Sequence, residues 1–427
     1  MSGRLASVLC VFLFAPVVAG AQQTSPSTVD ELVRAGIAQN KDLLSLRERI
    51  AEAKGLVQQA GLRPAPTLNL RGVTGRPLGT YGEEQYGAEY SQPFETFGKR
   101  AKRVQVASFD VGQAEAELQE RSSELAYEIR AGVAERQAEI QKLKLLDDLE
   151  KVNQDALRLT EARVREGDVA PLEANLLRVE INRALVLKVS AQGRLASDEL
   201  NLRKLIGLRP DQTFPQIAAE SLVPDTLDAL KAKALQARSD LRIAQLQEEQ
   251  SRAGIDLAKA NAKPNVDLSA GYTKQYSQFD GLFGYTTTGT LAPLRDRDDL
   301  LSFAVTIPLR TTRSGRGDIQ AATARTSGAG LRREYLERSI PLEVEAAYQR
   351  WTAAKNSLDL LHSGVVDPSI TNLDVIREAY KLGQLRLLDV LNQQRQLVDT
   401  ELAYIDAQAD ATRTWAEVER AIGGNLP

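Results

Sequence analysis

The sequence predicts a mainly α-helical protein with a small β part, assembled from two similar halves. Three observations carry that prediction. Of 427 residues, 26% are charged and only 5% aromatic, with two Trp, one Met and one His, which favours an elongated body packed by Ala and Leu over a ring-rich compact core. Two glycine pairs keep one register, since the interval from Gly167 to Gly383 equals that from Gly207 to Gly423. Around the first pair a framework recurs, RVREGDVAPLEANLLR from Arg163 and AYKLGQLRLLDVLNQQ from Ala379: a glycine, five residues later a leucine, then an acid.

The elements follow in order. The opening MSGRLASVLCVFLFAPVVAGAQQ, with Arg4, an apolar run and the triplet Ala19, Gly20, Ala21, reads as a secretory signal over residues 1–21. Its removal takes Cys10, the only cysteine, so neither disulfides nor a Cys/His metal cage is expected, and no cofactor. No later stretch approaches the roughly 18 apolar residues of a spanning helix. The net charge of −3 gives no polyanion-binding signal, so no nucleic acid partner is expected.

The halves are 22–223 and 224–427. Each opens with a helical segment, about 28–62 and 224–262, closed by Pro64 or Pro264. Strands follow, at about 67–75 and 84–95 in the first half and about 265–274 and 299–310 in the second. Their outer loops, about 76–83 and 274–298, are polar and Gly-rich. A very long helix comes next, about 98–167 and 315–383, broken in the second case by Pro341 and Pro368. A shorter helix then runs to Gly207 or Gly423, each suited to a C-terminal cap.

The strands carry the first functional inference. Val266, Leu268, Ala270 and Tyr272 alternate with Asn265, Asp267, Ser269, Gly271 and Thr273, a period of two with one greasy and one polar face. Leu301, Phe303, Val305, Ile307 and Leu309 alternate likewise, and Tyr86, Ala88, Tyr90 and Phe94 more weakly. A half-buried soluble sheet shows the same pattern; strand length and the export signal favour a membrane sheet. Four strands cannot close a barrel, for which about eight is the lower limit, and bare edges cannot face lipid. Several copies are therefore expected to share one barrel.

The helices carry the second inference. At 1.5 Å per residue the segment from Gly98 to Gly167 extends roughly 100 Å. Heptad spacing at Val104, Ala107, Val111, Ala114, Leu118 and Leu125, and again at Leu388, Leu391, Val398, Leu402, Ile405 and Ala409, predicts coiled-coil contacts. Two short helices stacked end to end match one long helix, and a wall of them forms a tall tube.

At SQPFETFGKRAKR, RVREGDVAPLEANLL, PSITNLDVIREAYKLGQLRLLDVLNQQRQL and the closing RAIGG, the chain resembles the TolC-type outer-membrane channels of Gram-negative efflux and secretion machines. The resemblance covers essentially everything after the signal. It implies a homotrimer, each protomer giving four strands to a twelve-stranded transmembrane β-barrel and its helices to a periplasmic α-barrel. It implies two further partners, a periplasmic adaptor and an inner-membrane pump, and a passive conduit rather than an enzyme. SQPFETFGKR is most similar to the heavy-metal branch, the cobalt/zinc/cadmium and copper/silver exporters that work with a resistance-nodulation-division pump.

Within that resemblance Gly167 and Gly383 are the turns at the periplasmic tips. Asp389 matches an aspartate that projects into the lumen, and a second family aspartate falls on Asn392, which leaves one acidic ring. Glu173 matches the acid of the neighbouring coiled coil, and Tyr380 a tyrosine that bonds to it. The family's tip arginine falls on Leu385, with Arg386 one residue later, a rotation of about 100° on a helix. Carboxylates converging on an axis attract cations and raise one another's pKa. The alternative for Asp389 and Glu173 is a solvated acid on a helix surface.

A basic cluster, Lys99, Arg100, Lys102 and Arg103, recurs loosely as Arg310, Arg313 and Arg316, each set following a strand. It suits anionic headgroups of outer-membrane lipid, or simple solvation of a helix start. His362 is expected to be packed or solvated. Other function classes fit less well. A periplasmic adaptor carries one helical hairpin, and no GxSxG, HExxH or Cys nucleophile supports an exported hydrolase.

Overall fold

The computed structural model describes residues 28–78, 83–209, 214, 226–309 and 315–424; the expected export signal, Arg310 and Arg313 lie outside them. The order is α1 (Val29–Gln39), α2 (Lys41–Ala60), β1 (Thr67–Thr74), β2 (Glu84–Phe94), α3 (Lys99–Glu166) and α4 (Pro171–Ile206). Then come α5 (Leu227–Ala237), α6 (Ser239–Asn261), β3 (Val266–Tyr285), β4 (Leu291–Thr306), α7 (Arg316–Leu361), α8 (Asp367–Lys381) and α9 (Leu387–Ala421). Each half thus runs helix, helix, strand, strand, long helical stretch, helix, the long stretch being one helix in the first half and α7 with α8 in the second.

Each opening helical segment is two helices, not one. Asn40 ends α1 and begins α2 in an extended conformation, its Oδ1 accepting from the Asp42 N–H at 2.9 Å and its Nδ2 donating to Leu205 O at 2.9 Å. Arg238 stands at the same place between α5 and α6 and reaches Ala421 O at 3.4 Å. Both breaks are thereby pinned to the last turn of α4 or α9. Gly207 lies against Gln39, and Gly423 against Ala237, so α4 meets the start of α2 and α9 the start of α6. Short helices stack end to end beside the long ones, as the lengths predict.

Two apolar cores sit at these junctions. One joins Leu32, Val33, Leu43, Leu125, Ile129, Leu202 and Ile206. The other joins Leu230, Leu241, Ile340, Val344, Trp351, Val418 and Ile422, with Trp351 between Tyr348 and Trp415 at ring separations of 5.4 and 5.0 Å. That second core corrects one expectation. Pro341 stays inside a continuous α7, because its neighbours Ile340 and Val344 are fully buried and their packing outweighs the missing N–H. The interruption falls instead at a π-helical turn, His362–Val366, which leads into α8 with Pro368 in its first turn, where no helical N–H is needed. His362 stacks on Tyr404 at 5.4 Å.

The strands form one antiparallel sheet in the order β1-β2-β3-β4. Its register sorts side chains by face. Leu68, Tyr90, Ala270 and Phe303 form one cross-strand row and Leu70, Ala88, Tyr272 and Leu301 the next, while Asn69, Glu89, Gly271 and Ser302 form a row on the opposite face. The apolar rows lie open, Leu70 at 76% and Phe303 at 81% exposure. The outer edges of β1 and β4 have no strand beside them among the described residues. The second hairpin is longer than predicted: most of the expected loop 274–298 is strand. Its polar residues give no greasy face to read, yet hairpin pairing satisfies the backbone as well there as below.

Candidate functional site

The recurring framework is a helix reversal. α3 ends with Gly167 at φ 85°, α8 with Gly383 at φ 73°. Asp168 N–H donates to Arg163 O and Gly167 N–H to Val164 O at 2.9 and 3.2 Å; Gln384 and Gly383 make the matching bonds to Ala379 and Tyr380, both 2.9 Å. This double closure needs a left-handed residue, which glycine supplies without a Cβ penalty. Three residues on, Ala170 and Arg386 are the N-caps of α4 and α9, which places Glu173 and Asp389 at the third helical position of each. An acid there faces the positive end of the helix dipole.

Asp389 is exposed, and its Oδ2 accepts the Arg386 backbone N–H at 3.0 Å, half of a capping box. Asn392 lies one turn on along the same exposed side, opposite the buried Leu387, Val390 and Leu391. Arg386 is exposed and contributes its backbone to the cap. Glu173 is half-buried, with Oε2 shielded from solvent and unpaired among the described residues. Tyr380 packs against Leu177, Leu387 and Leu391. Burial pushes its phenol pKa up, the Glu173 charge adds to that, and Arg163 opposes it. The structure therefore brings Tyr380 and Glu173 together, and sets Asp389, Asn392 and Arg386 on an open surface beside them.

The basic cluster is divided. Lys99 is only 5% exposed, and its Nζ donates to Lys263 O at 2.6 Å and Asn265 Oδ1 at 2.5 Å, just past the end of α6. Arg103 pairs with Glu95 and donates to Ala60 O at 2.9 Å and Leu62 O at 3.1 Å, past the end of α2. Lys102 reaches Asp256 O at 3.3 Å. Lys99 and Arg103 satisfy carbonyls at or just past helix ends at the sheet-to-helix junction, where cations are favoured, whereas the Lys102 acceptor lies within α6. A headgroup role for Lys99 and Arg103 is corrected accordingly. Arg100 and Arg316 remain exposed.

Sequence reading missed a polar seam between α3 and α9. Arg130 pairs with Glu419 at 3.3 Å, Lys142 with Asp406 at 2.5 Å, and Gln394 Nε2 donates to Asn153 Oδ1 at 3.0 Å. Arg395 of α9 also pairs with Glu180 of α4. The one available signal was Gln394, a polar residue three after the buried Leu391 on an apolar stripe. Missed too was a row on α4, Leu172, Val179, Val186, Val189 and Leu200, each at least 58% exposed, spaced as a heptad seam with nothing over it among the described residues.

Comparisons agree with this architecture. The sequence profile of the family described as outer membrane efflux protein matches residues 32–208 and 230–424. The solvent efflux pump outer membrane protein SrpC of Pseudomonas putida is 23% identical over 280 residues, covering 63% of this chain and 56% of that protein. The outer membrane protein TolC of Vibrio cholerae is 22% identical over 294 residues, 66% of this chain and 65% of that one. The matches thus span less than two-thirds of either relative. A crystal structure of CusC superposes with a TM-score of 0.72 at 17% identity, covering 95% of this chain and 96% of that chain, which shows the same fold. With both halves matched by the family profile, the chain belongs to the outer membrane efflux protein family.

Proposed function

We propose that the protein is the outer-membrane conduit of a tripartite efflux system, a homotrimer that passes cargo from periplasm to exterior and is opened by a periplasmic adaptor and an inner-membrane pump. The sheet carries the reading. A sheet with one continuous exposed apolar face and two bare edges is stable only when its edges are paired and that face meets lipid. Three copies supply twelve strands, enough for a closed barrel with the polar face toward a lumen. The helices, with α3 alone roughly 100 Å long, continue that lumen through the periplasm. A heptad row on α4 gives the neighbouring protomer its seam. Matching caps and element order in the halves support an internal duplication.

At the tips, Asp389 repeated by the trimer forms an acidic ring that favours cations, with Asn392 beside it and Tyr380–Glu173 holding the adjacent hairpin. Arg100 and Arg316, just below the sheet, face inner-leaflet headgroups. The conduit performs no catalysis of its own. Its SQPFETFGKR segment points to heavy-metal cations as cargo, although selection falls to the pump because a wide water-filled tube discriminates weakly. Two helical hairpins and a four-stranded sheet argue against a single-hairpin adaptor. The test is fractionation followed by planar-bilayer recording. A heat-modifiable oligomer of the outer membrane that conducts ions is expected; a monomer soluble without detergent would falsify the proposal.

A further inference from the structure

The stretch LRDRDD, Leu294 to Asp299, is strand, and strand parity sorts its charges. Leu301, Phe303 and Val305 lie on the apolar face, so Asp299, Arg297 and Arg295 continue that face upward, whereas Asp296 and Asp298 turn to the other side. Lys274 stands opposite Asp299 and Tyr276 opposite Arg297 on β3; Tyr86 and Glu84 of β2 complete those two rows. At about 3.3 Å per residue, Arg297 and Arg295 lie about 13 and 20 Å along the strand beyond Leu301. A tilt near 40° lowers both into reach of the headgroup layer above the apolar band.

The patch is positive and loosely neutralised. Its cations are Lys274, Arg295, Arg297 and Arg76; its carboxylates are Asp299 and Glu84. Arg76 is bonded to Glu84. Asp299 is shared at 3.8 Å by both Lys274 and Arg297, and Arg295 Nε donates to the Gln278 amide oxygen at 3.2 Å, with no carboxylate on it among the described residues. Arg297 has 58% of its side chain open to solvent. Two guanidinium groups spaced along one strand, with an ammonium diagonal to them, match phosphate oxygens.

We infer that Lys274, Arg295 and Arg297 form a binding surface for the phosphate groups of outer-leaflet lipid, at the end of the sheet away from the helices. This rests on the membrane reading above. It differs from that reading's headgroup contacts, which lie at the helix end.

The experiment is native mass spectrometry of the detergent-purified full chain with diphosphoryl lipid A, its dephosphorylated form, or lipid A plus inorganic pyrophosphate. Wild type is expected to prefer the diphosphoryl form by about tenfold. R295Q/R297Q should erase the preference, R295K/R297K keep it, and D296N/D298N, on the other face, leave it unchanged. K274Q serves if the double arginine variant fails to assemble, and should weaken the preference. An undiminished preference in R295Q/R297Q or K274Q, or an equal loss in D296N/D298N, overturns the inference. So does displacement of lipid by equimolar pyrophosphate, which would mark a site for free phosphate. Heat-modifiability separates the levels: a wild-type oligomer without phosphate preference sinks this inference alone, and no oligomer at all sinks the membrane reading beneath it.

Discussion

Gln394→Leu should loosen the second hairpin from the first. Gln394 donates to Asn153 Oδ1 at 3.0 Å, and the two residues are 9% and 3% exposed. Removing the donor leaves a buried carbonyl oxygen unpaired, at a cost of about 1–3 kcal/mol. When the hairpins part in this variant, the remaining Asn153 amide meets water and loses nothing, so the penalty falls wholly on the packed arrangement. It corresponds to a shift of about 5- to 150-fold toward parted hairpins. Adding Asn153→Leu removes the orphaned oxygen, and an apolar pair of similar shape is near neutral. In planar bilayers the single variant should show a larger open fraction, and the double variant should return toward wild type. A single variant that gates like wild type, or a double variant as leaky as the single, refutes the reasoning, because a general loss of helix packing would not be rescued by a second substitution.

Asp389→Asn retains an oxygen for the Arg386 N–H but loses the charge, so cation selectivity should fall with α9 intact; Asp389→Ala should lose the cap as well, about 1 kcal/mol. An unchanged reversal potential under a salt gradient for Asp389→Asn argues against an acidic ring. Lys99→Met strands Lys263 O and Asn265 Oδ1 and should lower the heat resistance of the oligomer equally in neutral and anionic lipid; a loss seen only in anionic lipid restores a headgroup role. Gly383→Ala meets nothing within 4 Å but must hold φ 73°, a strain of about 1 kcal/mol, which should quicken proteolysis at Lys381 and Arg386 more than Gly383→Asn does. Tyr380, its phenol raised above the ordinary tyrosine range by burial and by the Glu173 charge, holds its proton more tightly folded than unfolded. Tip stability should therefore be flat below about pH 10 and decline as alkali passes the unfolded value; the difference in tyrosinate absorbance between wild type and Tyr380→Phe checks the late titration.

Features confined to one turn or one strand were legible in the residues. A glycine followed six positions later by an acid encodes a left-handed C-cap, an N-cap and a third-position carboxylate, all set by local backbone geometry. Alternation in residues 266–272 and 301–309 likewise announced a two-faced sheet, because side-chain direction along a strand depends on parity alone. The repeated order of helix, strands and helices could be read wherever a boundary carries its own Gly or Pro; the breaks at Asn40 and Arg238 carry neither. Other features were settled by partners far away in the chain. Lys99 looked like a surface cation until α6 brought Lys263 O to it, and Pro341 looked like a helix break until Ile340 and Val344 were locked into a core. Asn153 and Gln394 meet across 241 positions, where no periodicity links them. Residues 294–298 read as a polar loop until pairing with β3 extended the hairpin and sent Arg295 and Arg297 to one face and Asp296 and Asp298 to the other. Local backbone preference is written every few residues; the value of a buried charge or amide depends on which distant atoms arrive beside it.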